Sequence, residues 1–77
     1  MNDQNFNSID LEVIAFLQRV GAPNVPSQIA IYIHERRKDT INAIDRLMSR
    51  GILYSEQDLT FFGSTGETTA FGLKNSN

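Results

Sequence analysis

At 77 residues the chain has room for one domain with a thin core; a chain of this size buries only roughly 60–65% of the surface its unfolded form exposes. Nine acidic side chains stand against seven basic ones, for a net charge of −2 and a pI near 5.1, which argues against non-specific coating of polyanions. The absence of cysteine excludes disulfides and thiolate metal sites, and no apolar run approaches the roughly 20 residues that span a bilayer.

The opening residues Met1-Asn2-Asp3-Gln4-Asn5 lack the basic start and apolar stretch of a signal peptide, so a soluble cytoplasmic protein with no membrane partner is expected. Residues 1–7 are polar and Asn-rich and read as a flexible tail. Ser8 then suits a helix N-cap, with Asp10 and Glu12 placing acid where the helix dipole favours it. Apolar residues recur at Ile9, Val13, Phe16, Leu17 and Val20, with Ile14 flanking. That spacing defines one face of an amphipathic helix, stopped by Gly21. Ala22-Pro23-Asn24-Val25-Pro26 is loop.

A short second helix is expected from Pro26 or Ser27 through His34, because Pro and Ser at its front outweigh its β-branched content. The chain turns around Glu35-Arg36-Arg37. A third helix runs from about Lys38 or Asp39 to Arg50, with Thr40, Ile41, Ile44, Leu47 and Met48 facing inward, and Gly51 suits the left-handed position that closes it. Beyond it the period changes. Ile52-Leu53-Tyr54-Ser55 and Leu59-Thr60-Phe61-Phe62 both have strand character, and either or both form the outgoing strand. Gly63-Ser64-Thr65-Gly66-Glu67 is turn chemistry, and Thr68-Thr69-Ala70-Phe71-Gly72-Leu73 returns with Phe71 and Leu73 on one face. The order is helix, helix, helix, hairpin: an α+β domain over residues 8–74, with a C-terminal tail at 75–77.

The charge is unevenly placed. Five of the seven Lys/Arg residues lie between Arg36 and Arg50. Residues 1–35 carry a net −3, residues 36–50 a net +3 and residues 51–77 a net −2. An acidic protein has gathered its positive charge on one helix. The direct physical use of that arrangement is to meet a nucleic-acid backbone, where Lys and Arg displace condensed counterions.

The run Thr40-Ile41-Asn42-Ala43-Ile44-Asp45-Arg46-Leu47-Met48-Ser49-Arg50-Gly51-Ile52-Leu53 resembles the recognition helix and first wing strand of bacterial winged helix-turn-helix regulators. Ile44 and Leu47, followed by Gly51-Ile52-Leu53, are similar to the signature of MarR-like repressors in which a hydrophobic residue, a leucine, a glycine and two hydrophobic residues recur at fixed spacing. In size the chain also looks like the small fimbrial regulators of the PapI/FaeA type. The resemblance covers roughly residues 9–74. It implies a three-helix winged helix-turn-helix with a C-terminal β-hairpin wing, acting as a bacterial, plasmid or phage transcriptional regulator, a repressor among other possibilities. The implied partner is double-stranded DNA, joined by a second copy of the chain or a larger regulatory protein.

In that arrangement the third helix enters the major groove. The expected contacts are Arg36, Arg37 and Lys38 at its entrance, then Thr40, Asn42, Arg46 and Arg50 along it, and Thr65 on the wing. Asn42 suits an adenine edge, and Arg37 or Arg46 suits guanine or phosphate. A second reading stays open. Asp39 and Asp45 interrupt the basic run, the wing tip is uncharged apart from acidic Glu67, and the whole cluster can be a solvated face. The domain would then be a winged-helix module that docks on another regulator without binding DNA. His34, the only histidine, suits the end of the second helix as a cation. Phe61, Phe62 and Phe71 are expected in the core, and Tyr32 and Tyr54 half-buried. No nucleophile–base pair, phosphate-binding glycine loop or ligand-spaced acidic cluster stands out, so neither an enzyme nor a cofactor or metal site is expected.

Overall fold

A computed structural model of the chain describes residues 6–57 and 66–74. Three helices, α1 (Ser8–Val20), α2 (Pro26–Ile33) and α3 (Arg37–Ser49), precede two antiparallel strands, β1 (Leu53–Gln57) and β2 (Thr69–Leu73). Among the described residues, no helix is long and apolar enough to cross a membrane.

The helix ends explain the boundaries. Asn7, not Ser8, caps α1. Its side chain accepts from the Asp10 amide at 3.3 Å while the Asp10 carboxylate accepts from the Asn7 amide at 3.4 Å. This reciprocal box satisfies two donors that a helix N-terminus otherwise leaves open. With Phe6 beneath the Arg50 guanidinium, 4.6 Å from it, ordered packing starts before the tail expected over 1–7 has ended. At its other end α1 closes through Gly21 in the left-handed region (φ 67°), whose amide reaches the Leu17 carbonyl.

The ends of α2 and α3 share one device. The amide of Glu35 reaches back to the Ala30 carbonyl and that of His34 to Ile31; likewise Ile52 reaches Leu47 and Gly51 reaches Met48. These are paired six-to-one and five-to-two closures that turn the chain sharply while satisfying the last carbonyls. In each the residue making the turn is left-handed, Gly51 at φ 74° and His34 at φ 61°. His34 therefore lies just past α2. Its local role is to turn the backbone between the two helices of the helix-turn-helix.

One core joins all the elements: Val13, Phe16 and Leu17 of α1, Ile29 and Ile33 of α2, Ala43, Ile44 and Leu47 of α3, and Leu53 of β1. The spacing from Leu47 to Gly51 works mechanically as expected, because the reversal at Gly51 drops Leu53 into the core and leaves Ile52 packed against it. Three details differ from the periodic reading. Val20, the last residue of α1, is exposed, Ala43 is fully buried although its small side chain gave little signal, and Tyr32 is 57% exposed. Tyr32 lies flat on Phe16, ring centroids 5.0 Å apart.

The outgoing strand is the segment that follows Gly51. Leu53 pairs with Leu73, and the register runs to Gln57 opposite Thr69. Tyr54 faces Gly72, and its ring lies so close that a Cβ on Gly72 would meet Tyr54 Cε1 at 2.9 Å; the glycine makes room for the aromatic cover. The expected strand at 59–62, with Phe61 and Phe62, lies outside the described residues. β2 has a partner on its other side too. The backbones of Asn24 and Phe71 exchange hydrogen bonds of 3.0 and 2.8 Å, so part of the loop between α1 and α2 pairs as an isolated bridge.

Candidate nucleic-acid interface

On α3 the buried residues Thr40, Ala43, Ile44 and Leu47 define the inner side. With 100° between successive residues, the outermost ridge is Lys38, Asn42, Asp45 and Ser49. Lys38, Asn42, Asp45 and Ser49 are all exposed. The five cations of the basic run are thus spread around the helix rather than gathered on one face. The ridge itself sums to no net charge.

Two of those cations are clamped by carboxylates of the protein itself. Arg46 reaches across to α1, where Nη2 donates to Asp10 Oδ1 at 2.7 Å and Nε lies within 3.3 Å of both carboxylate oxygens. Nη2 also approaches the Asn7 side-chain oxygen at 3.4 Å. Asp10 is only 2% exposed. Its carboxylate is held by the Asn7 amide and by an arginine fork, the geometry that makes burying a charge tolerable. The hydrogen bond it donates to Asp10, opposed by partial burial and helped by the charge of Asp10, holds the Arg46 guanidinium above its ordinary pKa; it is a permanent cation.

Arg37 is held at the other end of α3. Its Nη2 donates to Glu67 Oε2 at 2.7 Å, and its Nε donates to Glu67 at 3.2 Å and to Ser27 Oγ at 2.9 Å. Glu67 Oε1 accepts from the Ser27 amide in the first turn of α2. Burial pushes the Glu67 carboxyl up, but the hydrogen bonds from Arg37 and from the backbone and hydroxyl of Ser27 outweigh it, and its pKa ends below the ordinary value. The acid that looked out of place on the wing is the anchor that fastens the base of β2 to both helices of the helix-turn-helix.

The remaining expected contacts fall into separate groups. Arg36 is highly exposed and pairs loosely with Asp39 at 3.8 Å. Lys38 and Asn42 have no side-chain bond to another part of the protein among the described residues, whereas Arg50 covers Phe6. Thr40 is corrected. It is fully buried, with no hydrogen-bond partner for its Oγ1 among the described residues, and cannot reach a ligand from inside the core. Arg46 is corrected in part: its fork is taken by Asp10, and that long-range partner has no local signature in sequence. Thr65 lies outside the described residues. A groove between α3 and the hairpin is lined by Arg37, Ile41, Asp45, Glu67, Thr69 and Phe71. Among the described residues, no cluster of three or more His, Cys, Asp or Glu side chains could hold a metal ion.

Three helices followed by an antiparallel hairpin, with α2 and α3 joined by a tight turn, form a winged helix-turn-helix. The chain is similar in structure to a MarR-like transcriptional regulator from Thermotoga maritima, with a TM-score of 0.71 and 18% identity over 97% of this chain and 51% of that one. It spans about half the length of that regulator, and at this identity the likeness shows the fold. No protein-family model matches the chain, and no curated protein sequence does.

Proposed function

We propose that this chain binds double-stranded DNA sequence-specifically through α3, as a transcriptional regulator. The observation that supports this most is the outer ridge of α3. In a winged helix this is the helix that enters the major groove, and here it presents short polar side chains that no other described part of the protein covers. Asn42 has the paired donor and acceptor that match an adenine edge, and Asp45 can accept from the amino group of cytosine. Arg36 and Lys38 at the start of the helix, and Arg50 at its end, reach for phosphates on either side. Thr65 remains a proposed wing contact.

The charge distribution sets the character of the binding. With about three phosphates neutralised, log affinity falls with log salt at a slope near −3, shallow for a DNA regulator. Non-specific affinity is correspondingly weak, and base readout supplies much of the discrimination. The test is selection from a random duplex pool at two salt concentrations, followed by anisotropy titration of the enriched site. An enriched motif, bound with that slope and lost in Asn42→Ala, supports the reading. If nothing is enriched, or if Lys38→Ala and Asn42→Ala bind like the parent, α3 is not the reading element.

One observation favours the second reading, a module that docks on another regulator. Arg37 and Arg46 are both paired with carboxylates of the protein itself, as in a helix-turn-helix that has given up its phosphate contacts. Binding to a protein surface would then change little with salt and would survive Asn42→Ala.

A further inference from the structure

The outward face of α1 has an order that the DNA reading leaves unused. Ala15 sits at its centre, exposed, with Glu12 three residues before it and Arg19 four residues after it. Residues seven apart lie on nearly the same side of a helix, so Glu12 and Arg19 share one line beside Ala15, offset from it along the axis by about 4.5 Å in one direction and about 6 Å in the other at 1.5 Å per residue. Neither charge has a hydrogen bond or ion pair among the described residues, and both line the groove between α1 and α2. The borders are apolar, with Leu11 51% exposed on one side and Tyr32, stacked on Phe16, on the other.

A face with opposite charges at near-equal distances either side of a small residue is complementary to itself when turned end for end. Two copies of α1 packed antiparallel about a two-fold axis at Ala15 place Glu12 of each beside Arg19 of its partner, twice, and Ala15 lets the helices approach closely. A partner of uniform charge would leave one of the two groups facing its own sign. The geometry points to a homodimer built on the α1–α2 groove, and the charge pattern selects a second copy as the occupant. The contact is small. A face of two short helices, about 20 Å on a side, gives about 400 Å² per copy, half of the roughly 800 Å² in a standard stable interface. The dimer is therefore weak and concentration-dependent.

Charge exchange tests this without touching the core and without DNA. By sedimentation equilibrium, Glu12→Arg and Arg19→Glu, each placing like charges opposite one another, weaken dimerisation at least roughly tenfold. The doubly exchanged protein restores it. Because the chain has no cysteine, Ala15→Cys gives a single thiol at the proposed axis. It crosslinks to its own copy on mild oxidation far faster than Ser49→Cys on the outer ridge of α3. A monomer at millimolar concentration, a dimer indifferent to the single exchanges, a double exchange that does not restore it, or equal crosslinking at both cysteines overturns the proposal. Retained circular dichroism in each variant separates loss of the dimer from loss of the fold.

Discussion

The two arginine clamps at the ends of α3 look alike and differ in what they hold. At one end the fork of Arg46 closes on a carboxylate that is 2% exposed and already engaged in the N-cap of α1. At the other, Arg37 and Glu67 meet at the rim, the arginine side chain still 56% exposed. The first clamp is part of the core, because the buried acid has no counterion without the arginine. The second is a latch between the wing and the helices, wet enough for solvent to screen it. Charge spacing along a sequence does not distinguish such roles; the depth of the partner does.

Breaking the deep clamp has the largest effect. Arg46→Ala leaves a buried carboxylate without its counterion and destabilises the fold by about 2–4 kcal/mol. That is a large share of what a domain of this size holds in total, and urea unfolding measures it. Any loss of DNA binding in that variant then follows the loss of folded protein. Asn42→Ala is the contrasting case on the same helix: stability within about 0.5 kcal/mol of the parent, and specific binding weakened by about 1–3 kcal/mol if Asn42 reads a base. If Arg46→Ala is as stable as the parent, the contrast between core clamp and reading ridge fails.

Thr40→Val sharpens the inner boundary of that ridge. Replacing an unpartnered buried hydroxyl by a methyl group stabilises the domain by about 1 kcal/mol and leaves DNA affinity unchanged; a drop in affinity would return Thr40 to the interface. Opening the latch has the mildest effect. Glu67→Ala costs about 0.5–1 kcal/mol of stability, discounted for exposure. It also frees Arg37, so the salt slope of binding steepens by about one and affinity at low salt rises a few-fold. The sign with pH follows from the lowered pKa of Glu67. Its contribution is fully present above the unfolded carboxyl value of about 4.3 and is lost as pH falls through the lower folded value. Thermal melts from pH 5 down to pH 3 then converge for Glu67→Ala and its parent.

Much of the architecture was legible because it is written locally. The three-to-four spacing of Val13, Phe16 and Leu17, proline at the front of α2 and glycine after α3 each act within a few residues, and they place the three helices and the strand after Gly51. The functional surface was less legible because it depends on partners distant in the chain. Asp10 is 36 residues from Arg46, and Glu67 is 30 from Arg37. Neither pairing leaves a periodic trace, so a cluster of five cations read as one basic face when two were already engaged. Thr40 shows the same limit from inside: its place on the apolar stripe was visible, and its hydroxyl invited a contact that the stripe forbids. The cap at Asn7 could have been found, since an asparagine followed by an aspartate three residues later is a capping-box pattern.

The bridge between Asn24 and Phe71 changes what kind of object the wing is. A two-stranded hairpin alone is marginal in water. Here its inner strand is stitched to the loop before α2 by two backbone bonds and, three residues further along that segment, by Glu67 on Ser27. The segment from Asn24 to Ser27 therefore works as a hinge plate: tilting β2 must also move the entrance of α2, and with it the turn that aims α3.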